Sequence, residues 1–150
     1  MINLVSIIVP VFNEVDAIEK LVENTQNLRD LGLNFEYEII IVDDGSTDGT
    51  GSTLKKIQLT NQNLHVVSLA RNYGQSTALQ AGFDHCAGDV LITMDGDLQN
   101  DPADIPKIID ILKDNNEIDL VAGWRKDRQD STLNRNCLLY TSPSPRDLST

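Results

Sequence analysis

The sequence predicts an α/β fold in which a mostly parallel sheet carries helices on both faces. Short runs rich in Ile and Val alternate along the chain with segments whose apolar residues recur at helical spacing. Strands that alternate with helices in this way form parallel sheets, because each helix returns the chain to the end at which the next strand begins. Polar or charged residues follow each predicted strand, and ligands of such sheets bind beyond the carboxyl ends of the strands. The same pattern therefore predicts the fold and the edge of the sheet that carries function.

The first half of the chain is predicted to contain two strands, each followed by a helix. The strands are residues 5–9 and 37–42. The first helix is predicted from residues that recur at helical spacing, namely Ala17, Ile18, Leu21, Val22, Thr25 and Leu28. A second helix is predicted to begin near Thr47 or Asp48 and to turn Leu54 and Ile57 toward the core.

The second half repeats this order. Strands are predicted at residues 64–69 and 90–94, with a helix of small residues between them at 76–86. Pro102 is predicted to open the next helix with Asp101 as its N-cap, since proline is favoured in the first turn and aspartate before it. This helix should bury Ile105, Ile108, Ile109 and Leu112. A fifth strand is predicted at residues 119–122.

Composition narrows the classes of function. The chain has 150 residues, which fits one domain, and carries a net charge of −11 with a pI of about 4.4. Nucleic-acid binding needs clustered Lys and Arg, so such a partner is not expected. No run of about 18 apolar residues is present, which predicts no membrane-spanning segment in this sequence and a cytosolic location by default. The two cysteines have neither metal-binding nor disulfide-framework spacing.

Asp95 and Asp97 are the most informative pair of residues. They follow the fourth predicted strand, and in an extended stretch side chains two residues apart project to the same side. Two carboxylates so close repel each other unless a cation or a proton lies between them. Hard oxygen ligands suit Mg²⁺ or Mn²⁺, which would neutralise a departing nucleoside diphosphate. A solvated turn is the alternative interpretation of the same two residues.

Other strand ends admit two interpretations each. Residues 43–48 carry a carboxylate suited to a base or a ribose, but their Asp, Gly and Ser are also turn formers and helix caps. Asn13 and Glu14 are either site residues or only the entry to the first helix. Arg125, Lys126 and Arg128 form a basic cluster, which is either a phosphate clamp or a solvated face. Neither a dinucleotide-binding glycine motif after the first strand nor a P-loop is present.

Five stretches, taken together and in this order, resemble glycosyltransferase family 2. They are residues 9–14, 41–50, 71–75, 94–102 and 123–128. Within the family they are most similar to polyprenyl-phosphate glycosyltransferases, such as dolichyl-phosphate mannose synthases and bacterial undecaprenyl-phosphate sugar transferases. The resemblance implies the GT-A fold, whose mostly parallel sheet is Rossmann-like with helices on both faces. It also implies a nucleoside-diphosphate sugar as donor, Mg²⁺ or Mn²⁺ as cofactor and a lipid-phosphate acceptor at the membrane face.

The resemblance further implies a role for each matching residue. Nucleotide binding falls to Pro10, Phe12 and Glu14 after the first strand, with Val42 and Asp44 contacting the base and ribose. The metal and diphosphate site is formed by Asp95, Asp97 and Gln99, lined through the backbone by Met94 and Gly96. Arg125 would contact the diphosphate or the sugar, and Arg128 the acceptor phosphate. Asp97, Arg125 and Arg128 are thus the expected catalytic residues.

The implied reaction is displacement at the anomeric carbon with inversion. Two alternatives stay open, a saccharide acceptor and a truncated module that binds nucleotide sugar without catalysis. A haloacid-dehalogenase-like phosphatase also places an Asp-x-Asp pair after a strand. In that family the Asp-x-Asp pair follows the first strand, and the fifth position of the motif is Thr or Val. In this chain the pair follows the fourth strand, and the fifth position is Gln99.

The chain is expected to contain residues 1–136 of a C-terminally truncated nucleotide-sugar-binding domain, followed by a non-native tail at residues 137–150. Helix and strand periodicity stops near residue 130, and Pro143 and Pro145 prevent a regular helix in the tail. Residues 137–147 resemble the translation of a DNA-sequencing adapter. A genuine flexible terminus rich in Ser and Pro is the alternative.

Deletion of residues 137–150 tests this boundary. If the tail is foreign, it packs poorly and carries no site residue, so the melting temperature and the nucleotide affinity should stay nearly unchanged. Thermal melting and calorimetric titration with a nucleoside diphosphate measure both quantities. A large loss of stability in the shortened chain would contradict the assignment.

Overall fold

A parallel sheet of four strands organises the structure, a computed structural model that describes residues 2–98, 100–115 and 117–121. The strands are β1 (Leu4–Val11), β2 (Glu36–Asp43), β3 (Leu64–Ser68) and β4 (Val90–Thr93). Their order across the sheet is β3-β2-β1-β4, and every neighbouring pair is parallel. The predicted parallel α/β architecture is confirmed.

The strand order reverses direction at β1. From β1 the chain builds outward through β2 to β3 and then crosses back to place β4 on the other side of β1. In open parallel sheets such a reversal separates the loops that follow the two strands and leaves a crevice at their carboxyl ends. Because β1 pairs with β4, the segments that follow these two strands begin side by side at the crevice, although they lie about 80 residues apart in sequence.

Helices cover both faces of the sheet, as predicted. The helices are α1 (Ile18–Gln26), α2 (Thr50–Gln58), α3 (Gln75–His85) and α4 (Ile105–Asp114), with 3-10 turns at Asn27–Leu31 and Pro102–Asp104. Because side chains alternate along a strand, Ile7 and Val9 join one buried cluster while Ile8 joins another. The first cluster includes residues of α1, α2 and α4, and the second includes Ala78 of α3.

One helix boundary differs from the prediction, at a point where a polar side chain of the preceding loop bonds to the helix end. The second helix begins at Thr50, not at Thr47 or Asp48. Asp48 lies just before it and accepts a hydrogen bond from the backbone N–H of Thr50 at 3.0 Å, so this carboxylate satisfies the helix end from outside. The predicted capping by Asp101 is confirmed, since its carboxylate accepts from the N–H of Ala103 at 2.9 Å. Pro102 opens a 3-10 turn that leads into α4.

The predicted fifth strand is wrong for the residues that the structure describes. Residues 119–121 form no strand, and Ala122 lies outside the described residues. A strand needs a neighbour that satisfies its backbone N–H and C=O groups, and none pairs with these three residues in the described part of the sheet. The apolar character of these residues was therefore not enough to predict a strand. No helix in the described ranges is long and apolar enough to cross a membrane.

Candidate functional site

A cleft of about 290 Å³ lies at the carboxyl ends of β1, β2 and β4. It is lined by Pro10, Val11, Phe12, Glu14, Asp44, Asn72, Gly74, Gln75, Ala78, Asp95, Gly96 and Asp97. Seven of these residues are the ones that the sequence assigned to nucleotide or metal binding after three different strands. The structure thus brings together, in one cleft, residues that are up to 87 positions apart in sequence.

The carboxylate of Asp44 connects β2 to the loop that precedes α3. It is only 4% exposed, and its two oxygens accept hydrogen bonds from the backbone N–H groups of Tyr73 at 2.8 Å and Gly74 at 2.9 Å. The N–H of Asp44 itself donates to the carbonyl of Val11 at 2.9 Å. We call this set of contacts the Asp44 latch. It places the ends of β1 and β2 and the start of α3 around one cleft.

Asn13 joins the segment after β1 to the loop after β2. Its backbone N–H donates to the Ser46 hydroxyl at 2.9 Å, and its side-chain oxygen accepts from the N–H of Thr47 at 2.9 Å. The residue has a φ of 53°, a left-handed conformation that asparagine tolerates better than most residues. Asn13 therefore holds these two loops together and does not itself line the cleft.

Asp95 and Asp97 reach the cleft from a turn, not from the extended stretch that the sequence suggested. Strand β4 ends at Thr93, and Leu98 has a φ of 61°. Gly96, between the two aspartates, is buried, and a Cβ there would lie 2.8 Å from Cγ1 of Val11 and 3.2 Å from the carbonyl oxygen of Pro10. A side chain at this position would push the turn away from β1, so glycine keeps both carboxylates at the cleft.

The cleft is strongly acidic. Burial, together with the negative charges of Asp97 and Asp48, raises the pKa of Glu14 above its ordinary value of 4.5. Hydrogen bonds from the hydroxyl and the N–H of Thr50 and from the N–H of Val15 lower the pKa of Asp48. A raised pKa means that ionisation of Glu14 costs folding stability as the pH rises above 4.5. A cation bound near Asp97 would oppose that cost.

The donor set suits a cation that keeps part of its coordination for phosphate or water. Asp95 and Asp97 supply hard carboxylate oxygens, and no group of three His, Cys, Asp or Glu residues able to hold a metal occurs in the described part of the chain. Mg²⁺ is commonly held by one or two carboxylates together with substrate phosphates. These residues therefore suit Mg²⁺ or Mn²⁺ that is also bound by a diphosphate better than they suit a metal held by protein ligands alone.

Two predicted site residues do not line the cleft. Val42 is fully buried and packs with Ile8, Ile40 and Ala78 beneath α3, so its side chain is a core residue. Met94 is 7% exposed, and its N–H donates to the carbonyl of Ile8 at 3.0 Å, which continues the sheet pairing by one residue. Alternation along β2 explains the first case, because Val42 and Asp44 point to the same side while only Asp44 lies beyond the strand.

Three predicted site residues lie outside the described residues. They are Gln99, Arg125 and Arg128, and Trp124 is outside as well. Conversely, the sequence analysis assigned no site role to four residues that line the cleft from α3 and the loop before it, namely Asn72, Gly74, Gln75 and Ala78. Three of these four lie within residues 71–75, a stretch that carried the family resemblance, and that stretch was the available signal.

Comparison with known proteins agrees with this geometry. The sequence matches the family described as Glycosyl transferase family 2 over residues 6–148. That match includes most of the predicted tail, so the tail boundary stays a prediction. The chain is 44% identical over 131 residues to the dodecaprenyl-phosphate galacturonate synthase of Rhizobium johnstonii, covering 87% of this chain and 38% of that protein. It is 41% identical over 135 residues to the undecaprenyl-phosphate 4-deoxy-4-formamido-L-arabinose transferase of Edwardsiella ictaluri, covering 89% of this chain and 41% of that protein.

Solved structures show the same fold. A mannosyltransferase from Pyrobaculum calidifontis in complex with GDP-Man and Mn²⁺ matches with a TM-score of 0.62 and 26% identity, over 72% of this chain and 32% of that one. S. aureus TarS in complex with UDP-GlcNAc matches with a TM-score of 0.61 and 24% identity, over 75% of this chain and 32% of that one. The chain thus spans about two fifths of the length of the curated relatives and about a third of these structures.

Replacement of Asp44 by Asn tests the Asp44 latch. The amide keeps one acceptor oxygen but turns an NH₂ group toward a backbone N–H, so one hydrogen bond is lost and a donor is left without a partner. Hydrogen bonds to charged groups contribute about 1.5–3 kcal/mol, and we expect the free energy of unfolding in urea to fall by about that amount. Asp16→Asn, an exposed position in the segment before α1, is the control and should be nearly neutral. Equal stability of Asp44→Asn and the parent would show that the latch does not hold the cleft.

Proposed function

The chain belongs to glycosyltransferase family 2, and from this membership we propose that its cleft binds the diphosphate end of a nucleoside-diphosphate sugar together with Mg²⁺ or Mn²⁺. The observation that carries the proposal is the placement of Asp95 and Asp97 in the same cleft as Phe12, Glu14 and Asp44. Binding of such a donor needs two features. One is a divalent cation held by the aspartates, and the other is a nucleotide-binding segment opposite them.

Electrostatics argue for a cation in this cleft. The residues that line it in the described part of the chain include four carboxylates and no Lys or Arg. The pKa of Glu14 is raised by burial first and then by the negative charges of Asp97 and Asp48. A diphosphate would be repelled here unless a cation lay between it and the aspartates. The Mn²⁺ complex of the Pyrobaculum calidifontis mannosyltransferase supports the same conclusion by similarity.

The nucleoside would occupy the side of the cleft formed by β1 and β2. Phe12 is 42% exposed at the cleft and presents an aromatic ring for contact with a base. Each oxygen of Asp44 is already used by a backbone N–H, but a carboxylate oxygen has two lone pairs, so it can also accept from a ribose hydroxyl. The Asp44 latch would then hold the carboxylate in place before the nucleotide arrives.

The reaction that we infer is transfer of the sugar with inversion at the anomeric carbon. The bond from that carbon to the diphosphate oxygen breaks, and a bond to an oxygen of the acceptor forms on the opposite face. The bound cation would supply neutralising charge for the departing diphosphate. Asp95 and Asp97, with Gln99, would hold it, while Arg125 would contact the diphosphate or sugar.

A polyprenyl phosphate is the proposed acceptor. The curated relatives at 44% and 41% identity are named as dodecaprenyl-phosphate and undecaprenyl-phosphate sugar transferases. A phosphate acceptor is already an anion near neutral pH, so no general base is required to activate it, unlike a sugar hydroxyl. Arg128 would contact that phosphate. A lipid acceptor also implies that the catalytic domain works at the cytosolic face of a membrane.

Metal-dependent nucleotide binding is the first test. Calorimetric titration with UDP and with GDP, each in Mn²⁺ or Mg²⁺, should show binding of at least one nucleotide that is about tenfold or more weaker in EDTA. Asp97→Ala should weaken it at least about tenfold, which corresponds to about 1.4 kcal/mol. Asp110→Ala, an exposed aspartate on α4, is the matched control and should leave the affinity unchanged. Binding that is equally tight in EDTA would contradict the proposed site.

Transfer to lipid is tested with a longer protein that contains this domain. Incubation with labelled nucleotide sugars should give a labelled product that extracts with undecaprenyl phosphate. Arg128→Ala should raise the KM for the lipid about tenfold or more, and Lys55→Ala, an exposed lysine on α2, should not. Transfer only to saccharide hydroxyls would replace the acceptor class. Nucleotide-sugar binding without transfer to lipid or saccharide would favour the non-catalytic module.

A further inference from the structure

We propose that Gln75 is a positioning residue that fixes the orientation of the Asp95 carboxylate and thereby sets the affinity of the cleft for the divalent cation. The proposal deepens the function proposed above and rests on it. It assigns a role to a residue that the sequence did not single out and that lies on a different element from the aspartates.

The contact itself is a single side-chain hydrogen bond. The amide Nε2 of Gln75 donates to Oδ1 of Asp95 at 3.1 Å, and both side chains line the cleft. It is the sole hydrogen bond made by the Asp95 side chain within the described ranges. Asp95 is exposed, and without this bond its carboxylate would be free to rotate. Partners that orient a metal-binding group in this way often matter almost as much as the ligands.

The chemistry of glutamine suits this role. A carboxylate can only accept hydrogen bonds, so the NH₂ end of the amide must face Asp95 and the carbonyl must face away. A lysine or arginine at this position would also donate, but its positive charge would repel the cation and compete for the carboxylate. A glutamate would repel Asp95. A neutral donor is therefore the type of group that orients Asp95 and leaves its negative charge available.

The position of Gln75 is set by the Asp44 latch. Gly74, whose N–H donates to Asp44, has φ 99° and ψ 163°, a conformation that side-chain-bearing residues rarely adopt. Gln75 follows it as the first residue of α3, and Ala78, one turn later, is buried against the sheet. Because the start of α3 is fixed in this way, the side-chain amide of Gln75 lies next to the turn after β4. The buried carboxylate of Asp44 and the exposed carboxylate of Asp95 are connected through two consecutive residues.

The test compares two glutamines on the same helix. Gln75→Met keeps the length of the side chain and a similar helix propensity but removes the donor. Gln80→Met is the matched control, because Gln80 also donates to an aspartate, Asp84 at 3.0 Å, on the exposed side of α3. Mn²⁺ binding is followed by electron paramagnetic resonance at saturating UDP or GDP. We expect the Kd for Mn²⁺ to rise about tenfold in Gln75→Met and to stay unchanged in Gln80→Met.

Two further measurements separate positioning from other roles. Nucleotide affinity measured in EDTA should be the same in Gln75→Met and the parent, because the amide acts through Asp95 and not on the nucleotide. The melting temperature without Mn²⁺ should also be the same. Gln75→Asn, whose amide is one methylene too short to reach, is a second variant and should resemble Gln75→Met.

The outcomes distinguish the two proposals. An unchanged Kd for Mn²⁺ in both Gln75 variants would overturn the positioning role and leave the proposed function intact. An equal loss of nucleotide affinity with Mn²⁺ and with EDTA would overturn it too, in favour of direct contact between Gln75 and the nucleotide. Absence of Mn²⁺-dependent binding of UDP or GDP in the parent chain would overturn the proposed function together with the role of Gln75.

Discussion

The carboxylate of Asp44 accepts two backbone hydrogen bonds from the loop before α3, and the geometry of the cleft depends on this contact. It lies at the end of β2, is almost completely buried, and holds Tyr73 and Gly74 at 2.8 and 2.9 Å. The backbone N–H of the same residue bonds to Val11 at the end of β1. One residue therefore sets the relative positions of two strand ends and a helix start. Hydrogen bonds from backbone N–H groups to a carboxylate are among the stronger ones in proteins, which suits a permanent structural contact.

The sheet order decides what this contact organises. Because β1 lies between β2 and β4, the segment after β1 is next to both the Asp44 latch after β2 and the aspartates after β4. The resulting cleft concentrates negative charge, which adds to burial in raising the pKa of Glu14 and would oppose binding of a diphosphate alone. An acidic cleft is thus unfavourable for the isolated domain, and it would become favourable if a divalent cation bound there together with a nucleotide, as proposed. This property agrees with membership in glycosyltransferase family 2.

Local pattern was sufficient for most of the elements. Short apolar runs predicted all four strands. In the central strands β1 and β2 these residues are buried under helices on both faces and need no alternation with polar residues. The capping of the Pro102 turn by Asp101 was predicted for a similar reason, because both preferences act within a few residues. The prediction failed at residues 119–121, which form no strand in the part of the chain that the structure describes. It was also imprecise at α2, where Asp48 stabilises the helix end from the preceding loop.

The pattern of apolar runs was enough to identify the residues that follow each strand, and so it predicted Glu14, Asp44, Asp95 and Asp97 at one edge of the sheet. It did not determine which of them bind ligand and which hold the fold. That was decided by contacts between Asp44 and Gly74, 30 positions apart, and between Gln75 and Asp95, 20 positions apart. The physical reason is that helix and strand preferences act over a few neighbouring residues, whereas the partner of a carboxylate depends on how whole elements pack. Val42 shows the same limit, because only the packing of α3 against β2 buries it and removes it from the cleft.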